Sequence, residues 1–197
     1  MKKKIKYTII VIIFLLLTIP IYFSVFLEFF YINEFNLTIS LILVIGFLTL
    51  FLIGKIIEVY GYNAEIIKIM EKHDIINSFV GSNNKIIRLL GFLVIMIIEE
   101  FVFRYYLIGL LVIQSYLGEM LVILISSLIF SIFHIHTWFS YKNVRILVIF
   151  LIYSFFLGLF NGYLLLTLGI IPCILVHYSL AYILYYGIYI RYFKVKP

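Results

Sequence analysis

Ile98-Glu99-Glu100-Phe101-Val102-Phe103-Arg104 places two adjacent acids and a base inside a run, Leu89 to Ile113, that is otherwise apolar or aromatic. A run of that length reads as a membrane-spanning helix. A charge at such depth costs roughly 2.5–3.5 kcal/mol even on the gentlest insertion scale, so it is kept where it faces a bundle interior or wet cavity and finds partners. Glu100 and Arg104 are spaced i,i+4, with the acid N-terminal to the base, the favourable order for a pair on one helix face. Glu99 points about a hundred degrees away. One carboxylate can therefore be a structural partner of Arg104 while the other is left for chemistry.

The chain around this stretch has the composition of a polytopic membrane protein. Its 197 residues are 65% hydrophobic and 12% charged, with a mean hydropathy of +1.22; a soluble domain carries about twice that share of charge. The expected fold class is all-α, a membrane helical bundle of about six spans forming one integral membrane domain over residues 1–197. The formal net charge of +6 reports where the loops lie; it does not argue for nucleic acid as a partner. The partners expected are membrane lipids and a peptide or protein substrate. One cysteine, Cys173, excludes a disulfide framework and any Cys-x-x-Cys metal pair within the chain. The bias toward Ile, Lys, Phe, Tyr and Asn suits an AT-rich genome and a multi-pass protein of a bacterial cell membrane.

Six apolar runs are legible. The first, Tyr7 to about Leu27, follows a lysine-rich start; it is too long for a signal peptide and lacks a small-x-small cleavage site. Pro20 is expected to kink it. The second runs from Leu37 to Gly54. Residues 55–88 then read as a cytoplasmic connection. Ile66, Ile67, Met70, Ile75 and Ile76 recur at helical spacing among charges, which suits an amphipathic helix on the membrane surface. His73 is expected to be a surface residue and Gly81-Ser82-Asn83-Asn84 a turn. The third span carries the opening stretch. The fourth, Met120 to His136, contains Phe130, His134 and His136. A polar turn, Thr137 to Arg145, follows, with Trp138 and Tyr141 as interfacial anchors. The fifth, Ile146 to Leu165, holds Gly158 and Gly162, a pair that lets helices approach closely. The sixth, Ile170 to Ile190, contains His177. With both termini cytoplasmic, every Lys and Arg outside the spans falls on the cytoplasmic side, and Glu28, Glu34 and Glu119 lie outside, in accord with the positive-inside rule.

On this reading three helices bring ionisable groups to one depth. Glu99, Glu100, His134 and His177 are the candidate catalytic residues, with Arg104 as charge partner. A carboxylate and an imidazole sharing one water can activate it toward a carbonyl, and a second imidazole can donate to the developing oxyanion. Peptide-bond hydrolysis within the membrane fits that set. Ser131 and Ser179 lie near histidines but in no Gly-x-Ser-x-Gly elbow. His-Glu-x-x-His is absent. His134 and His136, two residues apart, point to different helix faces, and His136 reads as interfacial. These residues call for no cofactor and no metal; zinc on His134, His177 and a glutamate is the alternative. Two other classes share these residues: a non-catalytic membrane regulator or immunity protein, and a small transporter, which the absence of internal repeats disfavours.

The motifs resemble those of the CPBP family, the CAAX protease and bacteriocin-processing (Abi) membrane proteins related to type II CAAX prenyl endopeptidases. Glu-Glu-x-x-x-Arg matches at Glu99, Glu100 and Arg104, and Phe-x-x-x-His at Phe130 and His134. The third motif, His-x-x-x-Asn, matches only at His177, since Ala181 stands at the asparagine position. The approach to it, from Phe156 through Gly158, Gly162 and Thr167, is also similar, so the resemblance spans residues 86–190. It implies a glutamate-dependent intramembrane endopeptidase. Glu99 or Glu100 with His134 would handle the water and His177 the oxyanion; some members have been called metalloproteases. Ala181 removes half of the implied oxyanion pair, for which Asn161 or Tyr178 would be the substitutes.

Overall fold

A computed structural model describes residues 3–30, 35–70 and 85–190. Among these, helices α1 (Lys3–Tyr22), α2 (Leu37–Ile56), α3 (Ala64–Met70), α4 (Lys85–Glu100), α5 (Leu107–Gln114), α6 (Glu119–Phe133), α7 (His136–Tyr141), α8 (Val144–Leu168) and α9 (Ile170–Tyr189) build the fold, with no strand. Leu37–Gly61, Glu119–Tyr141, Val144–Leu168 and Ile170–Tyr189 are long and apolar enough to cross a membrane. The chain is thus an all-α, multi-pass membrane protein. In α1 the apolar part described is Thr8–Tyr22. α4 and α5 continue one another through a π turn, Phe101–Tyr106, so the acidic stretch sits where a long helix changes winding. The wider turn directs Phe101, Phe103, Arg104 and Tyr105 all into the bundle; single-turn π segments of this kind recur at functional sites.

α6 and α8 lie closest, and glycine is the reason. A Cβ on Gly158 would come within 2.9 Å of Ser127 Cβ and 3.0 Å of its Cα, and one on Gly162 within 2.8 Å of Ile123. Hydroxyl bonds add cross-links where apolar contact alone is not directional: Ser131 Oγ donates to the Leu151 carbonyl at 2.7 Å, and Ser126 Oγ to that of Phe103. α8 ends at Gly169, whose φ of 81° lies in the region that favours glycine. The turn lets α9 fold back. There Asn161 Nδ2 donates to the Cys173 carbonyl at 3.1 Å while Cys173 Sγ donates to the Asn161 carbonyl at 3.2 Å, a reciprocal bracket between α8 and α9. Cys173 is buried, a packing residue. The α4–α5 rod is tied to the first helix by Tyr106 Oη to the Leu17 carbonyl, and to the turn after it by Tyr105 Oη to that of Val25 at 2.7 Å.

Several local expectations are corrected. The second helix does not stop at Gly54: it runs on through a π turn, Ile57–Gly61, because Lys55 and Glu58 pair at 2.6 Å on the helix instead of starting a loop. Ile66, Ile67 and Met70, read as the apolar face of a surface helix, are covered by protein. They pack inward against Tyr141, Ile146 and Ile188, burying apolar area within the protein. Pro20 lies inside the first helix, which ends two residues later, at Tyr22. The helix α6 ends at Phe133, and a further short helix, α7, carries the apolar span on to Tyr141 within the expected polar turn. His73, Ile75, Ile76, Gly81-Ser82-Asn83-Asn84, Glu34 and the basic tail lie outside the described residues.

Candidate active site

The site is built around Arg104. Its guanidinium is 0% exposed, lies 3.9 Å above the Phe130 ring and pairs with Glu100 across Nε–Oε2 at 3.3 Å. The i,i+4 spacing on the rod sets that pair; the aromatic face from α6 supports it from below. Glu100, also fully buried, turns its other oxygen to α9. His177 Nδ1 donates to Glu100 Oε1 at 2.6 Å, a charge-assisted bond that fixes the ring. Asn161 neighbours the same carboxylate. Glu100 is thereby occupied on both oxygens and does not line the cavity beside it.

Glu99 does line it. A cavity of about 490 Å³ is walled by Glu99, Phe130, His134, His177, Ala181 and Tyr185, among others. Glu99 Oε2 makes no hydrogen bond among the described residues; it stands 3.9 Å from His177 Nε2, too far for a direct bond. The rod therefore separates the two acids, one turned into the protein and one toward open space, as the angular offset of neighbouring residues requires.

His134 enters from the end of α6. Its Nδ1 lies 2.9 Å from the Phe130 carbonyl oxygen. A carbonyl can only accept, so Nδ1 carries the proton and Nε2 keeps its lone pair. The ring packs edge-on against Phe130 at 4.8 Å between centroids, and Phe130 meets His177 at 5.8 Å. Phe130 thus touches Arg104, His134 and His177 at once and spaces the three. His136, exposed, reaches the cavity's rim.

The structure brings Glu99, His134 and His177 to one cavity and places Glu100 and Arg104 behind it. The two substitutes considered for the missing asparagine do not reach it. Asn161 is fully buried and committed to α9, and Tyr178 packs against Phe92 and Tyr182. The sequence reading missed Glu58, Tyr62, Tyr141, Tyr153 and Tyr185, all of which line the same cavity. A signal existed for Tyr185: with His177 and Ala181 it repeats every four residues on one helix face. Among the described residues no three His, Cys, Asp or Glu side chains are arranged to hold a metal ion.

A family model described as Type II CAAX prenyl endopeptidase Rce1-like matches residues 82–183, just over half of the chain. No curated protein and no solved structure matches it.

Proposed function

The chain belongs to the Rce1-like family of type II CAAX prenyl endopeptidases, and from that premise we propose that it is an intramembrane endopeptidase of the glutamic type, with Glu99 as the residue that activates water. One observation carries the choice: Glu99 lines the cavity, while Glu100, ion-paired with Arg104 and bonded to His177, does not.

A water seated between Glu99 and His134 gives one hydrogen bond to Glu99 and one to the lone pair on His134 Nε2, which aims its oxygen at a carbonyl in the cavity. Glu99 takes the proton as the water oxygen bonds to the carbonyl carbon. The C=O π pair moves onto oxygen, and His177 Nε2–H donates to that oxyanion. Glu100 makes this possible by accepting from Nδ1. The step needs a proton on each ring nitrogen of His177, one donated to Glu100 Oε1 and one to the oxyanion. Collapse of the intermediate breaks the C–N bond, and the proton held on Glu99 passes to the leaving nitrogen. Preorganised donors of this kind supply a large share of acyl-transfer catalysis.

The substrate on this reading is a membrane-associated peptide, a prenylated CAAX tail or another precursor, cut in a bacterial cell membrane by a protein with both termini in the cytoplasm and a catalytic core over residues 86–190. The test is cleavage of a fluorogenic peptide bearing a prenylated CAAX tail by the full chain in lipid vesicles. Wild type should cleave, and Glu99→Gln and His134→Ala should each lose at least about a hundredfold while inserting normally. Equal cleavage by wild type and both variants, or none by any of them, overturns the assignment; none by any of them favours a non-catalytic regulator on the same scaffold.

A further inference from the structure

We propose that His134 and His136 form a two-imidazole site for a zinc-class divalent cation at the rim of the cavity. The binding stands on the geometry of the two rings; its effect on cleavage rests on the hydrolase reading above.

The chain turns tightly where the two histidines sit. α6 ends at Phe133 and α7 begins at His136. Between them the backbone closes three-residue turns: His134 N–H donates to the Ser131 carbonyl at 3.0 Å, Ile135 N–H to that of Ile132 at 2.9 Å, and Thr137 N–H to that of His134 at 3.0 Å. Residues two apart on an α-helix lie about 160° from each other around the axis. At three residues per turn the angle closes to about 120°. The side chains complete the approach. The ring centroids of His134 and His136 are 5.7 Å apart, with planes at 38°, and both residues line the cavity. The expectation that they point to separate faces is corrected by this turn.

Both rings offer the same atom. His134 Nδ1 lies 2.9 Å from the Phe130 carbonyl oxygen, and His136 Nδ1 lies 2.9 Å from that of Phe133. A carbonyl only accepts, so each Nδ1 carries the proton and each Nε2 keeps its lone pair. Metal-binding imidazoles are held in this way, the other nitrogen donating to a carbonyl or carboxylate that fixes the ring. Tetrahedral zinc, with bonds to nitrogen of about 2.0–2.1 Å, sets two imidazole centroids about 5–6 Å apart. Phe133 supports both rings, with centroids 5.8 Å from His134 and 5.2 Å from His136. Neutral imidazoles suit zinc, copper and nickel, whereas magnesium and calcium take oxygen. Two protein ligands leave the remaining positions to water, so the ion exchanges readily; His136 is exposed and gives it entry. On the hydrolase reading, His134 Nε2 accepts from the attacking water. An ion on that lone pair displaces the water's hydrogen bond, so cleavage should stop as the site fills.

The full chain in lipid vesicles, without a histidine tag, is titrated with Zn2+ against a chromogenic chelator. Loss of even a supporting contact to a metal-ligating histidine costs about 10–100-fold in affinity, so His134→Gln and His136→Gln should each weaken zinc binding by at least about tenfold. His73→Gln is the control and should match wild type, and Mg2+ should not compete. With the prenylated CAAX peptide and no added metal, His136→Gln should cleave like wild type. The Zn2+ concentration that halves its rate should rise by at least about tenfold. Wild-type zinc affinity in His136→Gln, binding lost in His177→Gln but kept in His136→Gln, or zinc that raises the rate each overturns the assignment. The two claims fail separately. If the wild type binds zinc through both histidines and cleaves nothing, the hydrolase reading falls and the site stands; if it cleaves and binds no zinc, the protease stands and the site falls.

Discussion

Glu99 and Glu100 are neighbours of one chemical type, yet exchanging each for glutamine should produce opposite defects. Glu100→Gln leaves Arg104 as a buried guanidinium, 0% exposed, without its carboxylate at 3.3 Å, and weakens the 2.6 Å bond to His177. Breaking a buried ion pair on one side costs about 3–5 kcal/mol. A hydrogen bond to a charged group contributes about 1.5–3 kcal/mol, part of which the glutamine amide retains. Stacking of Arg104 on Phe130 at 3.9 Å offsets a further fraction. The net expectation is about 3 kcal/mol or more of lost stability, read as a lower midpoint in thermal unfolding of the solubilised protein. Glu99→Gln should cost under about 1 kcal/mol, since its Oε2 has no hydrogen bond to lose. It should nonetheless abolish cleavage. Replacing both buried partners, Glu100→Leu with Arg104→Met, should recover most of the stability, because no unpaired charge remains. It should not recover activity, because His177 has lost its acceptor. If Glu100→Gln unfolds no more easily than Glu99→Gln, the division of labour between the two acids is wrong.

Arg104→Lys should destabilise by about 1–3 kcal/mol in the same unfolding assay, since an ammonium cannot reproduce the planar contact with Phe130 while reaching Glu100. Gly158→Leu should prevent the approach of α6 and α8: even a Cβ there meets Ser127 at 2.9 Å. A cost above about 3 kcal/mol is expected, with loss of the folded peak in size-exclusion chromatography. Asn161→Ala should cost about 0.5–1.5 kcal/mol through the lost hydrogen bond to the Cys173 carbonyl, measurable as a lower unfolding midpoint. His134→Gln should reduce kcat by at least about a hundredfold without a comparable change in unfolding, as His134 is partly exposed.

The apolar runs and the cost of charge within them were enough to read the fold class, since no soluble arrangement hides so much hydrocarbon. Spacing was enough for the Glu100–Arg104 pair, which is local to one helix. The errors fell where a charge was taken as the end of a span. Lys55 and Glu58 satisfy each other, so α2 continues past them and carries Glu58 and Tyr62 to the cavity wall. The inward packing of Ile66, Ile67 and Met70 was equally hidden. An amphipathic pattern states that a face is buried but not whether lipid or protein covers it.

The sequence by itself determined that the chain is a helical membrane bundle and that one of its two adjacent acids would pair with Arg104, because hydrophobic length and helical pitch act over a few turns. Only the tertiary structure decided which partners the acids meet. The Glu100–His177 bond joins residues 77 apart, and the cavity gathers side chains from separate helices. Whether Asn161, Tyr178 or Tyr185 faces that cavity depends on how α8 and α9 rotate against their neighbours. That rotation is fixed by close packing at Gly158 and Gly162 and by the turn at Gly169, through contacts between residues that the linear order keeps apart.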